Sequence, residues 1–432
     1  MNRSFYILFL TLLVSAVFAA PPAFAEEDLY IESLLDTGKP TYNPIPANVF
    51  EATKNEALKS KDAKTMFTIG LMYLDGKGTE IDFAQAREWL TLASNEGNSD
   101  AMVELAKLYS MDPAISGFDK NQDQAIRWIR QAEKLKNPNA YYVIGQMYED
   151  GFPFDKSYDQ SFLYYKKAAY AGVVNAYVKV YLGYQYGKGV EPNLRRAVVW
   201  LRKLVEVTPD GQMKDYSKQI LGEIYFELAV KEDDPKTKFD LFQLSWQNGD
   251  KYSIDALGDL YQAGLGTKQN YTAAVDSYQE SIDKYESLYA MERLGFISLK
   301  GPAEIRRDYA KAQQLFKRAA DLGSAQAAYM LGYMNYYGLG MPANAQESSK
   351  WFKRSDQLAQ RNEAMTAANN KKTSQQLTKD AANSSAAIKD IIQDTSQKKR
   401  EIERQRKVEE KIKKNKSSEA PVDADSMDVP KY

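Results

Sequence analysis

The chain contains no histidine and no cysteine, so any chemistry it performs must run on carboxylates, Lys, Tyr or Ser. Thiol nucleophiles, Cys/His zinc sites and His-dependent triads are excluded. Two carboxylate pairs have spacings that acid–base work could use. Asp255 and Asp259 stand four apart, on one helical face, and Glu149 sits beside Asp150. Paired carboxyls of this kind can cleave a glycan, one as acid and the other as base or nucleophile. Both pairs fall at variable helical places, where solvated charge is the ordinary explanation. Gly76-Lys77-Gly78 and Gly187-Lys188-Gly189 resemble fragments of a phosphate loop, but that loop needs Gly-x-x-x-x-Gly-Lys-Ser/Thr after a strand. The sequence therefore assigns no catalytic residue, no metal and no cofactor, and it reads as a non-enzyme.

What positions these residues is an internal repeat. Aligned on the residue after the first apolar stretch, eight copies place Gly70, Ala106, Gly145, Tyr181, Gly222, Gly258, Gly295 and Gly332 in one column, 36 to 41 residues apart. Three residues later stand Tyr73, Tyr109, Tyr148, Tyr184, Tyr225, Tyr261, Ser298 and Asn335. A second column, Trp89, Trp128, Tyr164, Trp200, Leu241, Ser277, Leu315 and Trp351, is followed four residues on by mostly small residues such as Ala93, Ala132 and Ala168. Spacings of three and four put each pair on one helical face. Glycine-rich loops suit helix ends, where the left-handed conformation is needed. The second copy lacks the Gly-x-Gly loop, and the fifth carries the acidic stretch 232–234 in its place. A repeat of this length is a helix pair that must stack on copies of itself to acquire a core.

These columns resemble the Sel1-like repeat family, a relative of the tetratricopeptide repeats, from about residue 62 to 359. The resemblance implies an all-α, α/α superhelical solenoid of about eight helix-turn-helix repeats, to which the residues beyond 359 add a C-terminal charged helix. It also implies a concave face lined by variable first-helix positions. In the third copy these are Tyr142, Gln146, Glu149 and Asp150. In the fourth they include Leu182, Gln185 and Tyr186, and in the seventh Phe296. In the eighth they are Tyr329, Tyr333, Tyr336 and Tyr337, which either anchor a partner or pack beneath the C-terminal helix. Exposed aromatics of this kind serve as binding anchors. The function implied is a periplasmic or secreted scaffold or adaptor. It would hold a protein or peptide in the groove and assemble or regulate a cell-envelope complex. Two alternatives stay open: a peptidoglycan- or polysaccharide-binding or glycan-processing envelope protein, and a secreted host-interaction factor.

The flanks supply the compartment. Arg3, an apolar run from Phe5 to Phe18 and Ala23-Phe24-Ala25 read as a signal peptide over 1–25. That run is short of the roughly 20 residues a spanning helix needs. Residues 26–61 read as an N-terminal cap with a helix near 48–59, 360–416 as a charged, moderately amphipathic helix, and 417–432 as a disordered tail. The basic stretch 398–416 either touches anionic envelope components or is simply solvated. Net charge is −1, which gives no argument for nucleic acid as a partner. N-terminal sequencing of exported protein is expected to begin at Glu26; an intact Met1 terminus on the exported form would refute cleavage.

Overall fold

The computed structural model describes residues 47–369. The leader, the Pro-rich stretch before residue 47, the charged segment beyond 369 and the tail 417–432 lie outside the described residues. The chain divides into two compact bodies, Pro22–Leu358 and a second made of Met1–Pro21 with Ala359–Tyr432. Of the second body, residues 359–369 are described; they are helical, and 360–369 are exposed. Among the described residues every regular element is a helix, and none is long and apolar enough to cross a membrane.

Among the described residues the larger body begins with a helix at Ala47–Ser60 and continues as eight helix pairs. The pairs are Ala63–Asp75 with Phe83–Asn95, Ser99–Ser110 with Gln122–Lys134, and Pro138–Asp150 with Tyr158–Tyr170. Next come Val174–Tyr186 with Leu194–Val207, Gln212–Lys231 with Pro235–Gln247, and Ser253–Ala263 with Tyr271–Tyr285. The last two are Leu288–Lys300 with Tyr309–Asp321, and Ala325–Tyr337 with a helix starting at 345.

The turn inside each pair is closed by one recurring set of bonds. Every second helix starts at a polar cap: Asp82, Asn121, Ser157, Asn193, Asp234, Asn270, Asp308 or Asn344, whose side chain accepts a first-turn N–H. In all repeats but the fifth, the cap's own N–H donates to the carbonyl of the column residue three past the anchor. Examples are Asp82 to Tyr73 at 3.0 Å, Ser157 to Tyr148 at 2.9 Å and Asn344 to Asn335 at 2.9 Å. The second repeat keeps this bond, Asn121 to Tyr109, without a Gly-x-Gly loop; a short helix, Pro113–Ser116, fills the gap.

The anchor glycines work through packing. A Cβ at Gly145 would stand 2.6 Å from the Tyr165 ring, at Gly258 2.6 Å from Tyr278, at Gly295 2.7 Å from Phe316 and at Gly332 2.7 Å from Phe352. The residue lying on the glycine is thus one place past the Trp column. That column has its own task between repeats: Trp200 meets Tyr170 of the preceding repeat edge-on at 5.1 Å. The second glycine of the Gly-x-Gly loop is likewise an inter-repeat contact. A Cβ at Gly189 would fall 2.0 Å from the Tyr158 carbonyl oxygen, and one at Gly266 1.9 Å from that of Pro235, each in the preceding repeat. First-helix caps latch backwards too. Ser287 donates to Asp255 at 2.7 Å, Ser324 donates to Glu292, and Asn137 donates to Asp100 at 2.7 Å.

The fifth repeat does not interrupt the core. Leu221, Ile224, Tyr225, Phe239 and Phe242 belong to one apolar cluster that runs from Phe162 to Leu260. The stretch 232–234 is the whole connection there, and Asp234 caps the helix that follows by accepting the Thr237 N–H at 2.8 Å. Partly buried Tyr141 packs against both this cluster and the preceding one, and Tyr261 packs against both this cluster and the following one. At the N-terminal end Phe50, in the opening helix, meets Tyr73 edge-on at 5.2 Å.

Helix propensity alone says that Gly295→Ala should stabilise by about 1 kcal/mol. Overlap with the fully buried Phe316 ring predicts instead a net loss of about 1–2 kcal/mol. Gly97, with positive φ but open space around its Cβ position, should lose only about 1 kcal/mol on conversion to Ala. Gly266→Ala adds a backbone collision and should lose about 3 kcal/mol. Denaturant titration of the three variants tests this ranking, and equal losses at Gly97 and Gly266 would refute the inter-repeat contact.

Candidate functional site

Three polar or aromatic groups stand out on the first helices. The first is on Ala325–Tyr337. Tyr329, Tyr333, Tyr336 and Tyr337 are 48%, 37%, 59% and 59% exposed. Tyr333 and Tyr337 lie 4.6 Å apart between ring centres, Tyr336 meets Tyr337 edge-on at 4.9 Å, and Tyr329 leans on Phe352 at 5.2 Å. The buried face of the same helix carries Leu331, Gly332, Met334 and Asn335. Contact with the sequence segment around 388–392, the alternative reading of this group, falls outside the described residues.

The second group lies at the junction of repeats three and four. Glu149 accepts from the Tyr165 hydroxyl at 2.5 Å and from Lys188, and pairs with Lys179 at 3.3 Å. Tyr165 is placed by Gly145, Lys179 by the next first helix and Lys188 by the Gly-x-Gly loop. With Tyr158, Ser161, Phe162 and Leu182 these side chains line a small cleft of about 20 Å³, room for little more than one water-sized group. Burial pushes the Glu149 carboxyl up, but Lys179, Lys188 and Tyr165 together hold it below its ordinary value. Burial and the adjacent Glu149 push the Tyr165 hydroxyl up.

The third group joins repeats six and seven. Asp259 accepts from Tyr278 at 2.6 Å, Tyr289 at 2.5 Å and Arg293 at 2.8 Å. Asp255, one turn earlier, accepts from Ser287, and burial raises its carboxyl above the usual range. The two junctions share a plan: a first-helix carboxylate, a tyrosine resting on the anchor glycine, and a cation from the next first helix.

This arrangement corrects the expectation that these carboxylates are solvated charge. Glu149, Asp255 and Asp259 are engaged in ties between neighbouring helices, and neither the pair Asp255–Asp259 nor Glu149–Asp150 presents two free carboxyls. Asp150 itself is exposed. Of the other expected face residues, Tyr142 packs against Tyr165 at 5.4 Å, Gln146, Gln185 and Tyr186 are half-buried, and Leu182 is 8% exposed and part of the core. Phe296 packs edge-on against Phe316 at 5.3 Å and joins none of the three groups. The residues that sequence reasoning missed are Tyr165, Lys179, Tyr278, Tyr289 and Arg293. A signal existed for two of them. Their column otherwise reads Leu90, Ile129, Leu201, Phe242, Phe316 and Phe352, so a hydroxyl at Tyr165 and Tyr278 stands out.

Two junction carboxylates should respond to pH with opposite sign. Glu149 titrates below its ordinary value of 4.5 in the fold, so its stabilising contribution is complete above that value and is lost as pH falls through the depressed one. Glu292, raised by burial against its bond from Ser324, contributes most at low pH and loses that contribution as pH rises through its elevated value. In denaturant titrations between about pH 7 and about pH 3, the stability of the parent chain relative to Glu149→Gln should fall on acidification, and relative to Glu292→Gln it should rise. Parallel slopes would contradict the assignment.

Comparison with known proteins agrees with this architecture. The Sel1 repeat model matches residues 63–98, 99–137, 138–173, 179–206, 252–284, 288–324 and 325–355. The fifth repeat falls between matched segments. An uncharacterized protein of Neisseria meningitidis is 22% identical over 374 residues, covering 67% of this chain and 79% of its own length. The chitin synthase regulator SKT5 of Saccharomyces cerevisiae is 25% identical over 278 residues, 62% of this chain but only 39% of its own length. The crystal structure of c5321, a protective antigen present in uropathogenic Escherichia coli strains, is 25% identical with a TM-score of 0.37, covering 71% of this chain and 64% of that one. Sel1 repeat proteins generally mediate protein–protein interaction. With seven matched segments over more than half its length, the chain belongs to the Sel1 repeat family.

Proposed function

We propose that this chain is an exported, non-catalytic adaptor that holds a protein or peptide partner on its first-helix face and thereby assembles or regulates a cell-envelope complex. The observation that carries the reading is the row of four exposed tyrosines on Ala325–Tyr337. A monomeric surface rarely keeps aromatic rings in mutual contact and half in water without a use for them. Tyrosine is a rigid anchor with an apolar body and a polar tip, suited to a polypeptide partner. The export part of the reading rests on the leader sequence. The regulatory part is consistent with the name of the yeast relative, a regulator of chitin synthase.

A photo-crosslinking residue placed at 333 in cells should attach to a discrete protein, identified by mass spectrometry. The double change Tyr333→Ala/Tyr337→Ala should weaken capture of that partner by about tenfold or more, while the melting temperature moves little because both rings are exposed. Unchanged capture would remove the eighth repeat from the binding surface. Sedimentation of the purified protein with peptidoglycan, lost in the same double variant, would move the assignment from protein partner to glycan.

A further inference from the structure

The second helices carry a surface patch that the tyrosine row, on a first helix, does not use. The helices Gln122–Lys134, Tyr158–Tyr170 and Leu194–Val207 together hold nine basic and four acidic residues, whereas the second helices of repeats one, five and six hold four and five. The excess positive charge is therefore local to repeats two to four. These three helices adjoin one another: Arg130 donates to the Tyr164 hydroxyl at 2.9 Å, and Tyr170 meets Trp200 at 5.1 Å.

The charge is interleaved with apolar side chains that stand in water. The place before the column Trp128, Tyr164 and Trp200 holds Arg127, Leu163 and Val199, all exposed. Repeats one, five and six hold the acids Glu88, Asp240 and Asp276 at that place. Beyond the column stand Lys167, Arg202 and Lys203, exposed, and Tyr170, 62% exposed. Part of the positive charge is answered inside the fold, since Arg130 pairs with Glu133 and Arg195 with Glu232, each at 2.7 Å. Lys167 and Lys203 lie instead over rings, 4.4 Å from the centre of Tyr164 and 4.5 Å from that of Trp200. A ring steadies an ammonium group but leaves its charge in place. In repeat seven the equivalent cation, Arg318, pairs with Glu286.

This mixture discriminates among anionic partners. A soluble polyanion would use the cations and leave Leu163 and Val199 in water. An anionic lipid surface answers both, because headgroups meet the cations while the acyl boundary just beneath takes the apolar side chains. A tyrosine between the two suits the headgroup level.

We infer that the second-helix face of repeats three and four docks on an anionic phospholipid surface. Lys167, Arg202 and Lys203 lie at the headgroups, and Leu163 and Val199 reach the acyl boundary. The inference goes beyond the adaptor reading and does not depend on it.

The test is flotation of the purified full chain with vesicles of phosphatidylcholine containing one-third phosphatidylglycerol, and with vesicles of phosphatidylcholine alone. Binding should need phosphatidylglycerol and weaken as salt is raised. Lys167→Gln/Lys203→Gln should weaken it about tenfold or more. Lys311→Gln/Lys317→Gln removes the same charge from repeat seven and should leave binding nearly unchanged. Because the chain has no cysteine, Val199→Cys gives a unique site for an environment-sensitive dye. Its emission should shift to the blue on vesicles, and the same dye on Leu322→Cys, a similarly exposed place in repeat seven, should not shift. Equal losses in the two charge variants would overturn the inference, leaving only a whole-chain charge effect. Binding that survives Lys167→Gln/Lys203→Gln would overturn it too, placing the lipid contact in the leader or in the basic stretch 398–416. Binding without the blue shift at 199, or matched by soluble polyglutamate, would overturn it in favour of an acidic protein. Tyr333→Ala/Tyr337→Ala should leave vesicle binding unchanged, so this inference and the adaptor reading fail separately.

Discussion

The structure depends on how closely a side chain of one helix can lie on the bare backbone of another. Gly145, Gly258, Gly295 and Gly332 leave no room for a methyl group beneath a ring of the paired helix. That contact fixes the interhelical distance inside those four repeats. Once it is fixed, the cap of the second helix reaches the carbonyl three residues past the anchor, and the loop can present its second glycine to the repeat before it. Where the anchor is not glycine, the solution changes: Tyr181 is itself fully buried, and Gly183, two residues on, takes the ring of Phe162 from the preceding repeat.

Much of this was legible in the residues. The columns of glycine, tyrosine and tryptophan placed the helix pairs, and the seven family matches fall on seven of the eight copies. What the columns could not show is direction. The anchor glycine was readable as a small residue, but which side chain meets it depends on rotation of the partner helix, and the answer is one place beyond the most visible column. The fifth repeat shows a related limit. Its acidic stretch looks like a damaged loop, whereas Asp234 is a helix cap of the same kind as Asp82 and Asp308.

The site was legible in part. Tyr329, Tyr333, Tyr336 and Tyr337 stand exposed on one helix. The carboxylates were read as solvated because, on an isolated helix, a variable acidic place faces water. Stacking gives such a place a second neighbour, and Asp255, Asp259, Glu149 and Glu292 use it to hold the following repeat. A first-helix place on the expected face can therefore point inward or outward in this chain. Leu182 is buried and Phe296 half-buried, while the eighth-repeat tyrosines are exposed.

The latches between repeats have a bearing on how the chain acquires its structure. The side-chain bond of longest reach described above, from Lys188 to Glu149, spans 39 residues. Relative contact order is accordingly low for a body of this length, and each closure needs only the repeat just completed and the one before it. Structure can then grow in the direction in which the polypeptide emerges, without waiting for distant sequence. The same locality means that tension applied to the two ends would open the stack in steps of a repeat or two rather than all at once.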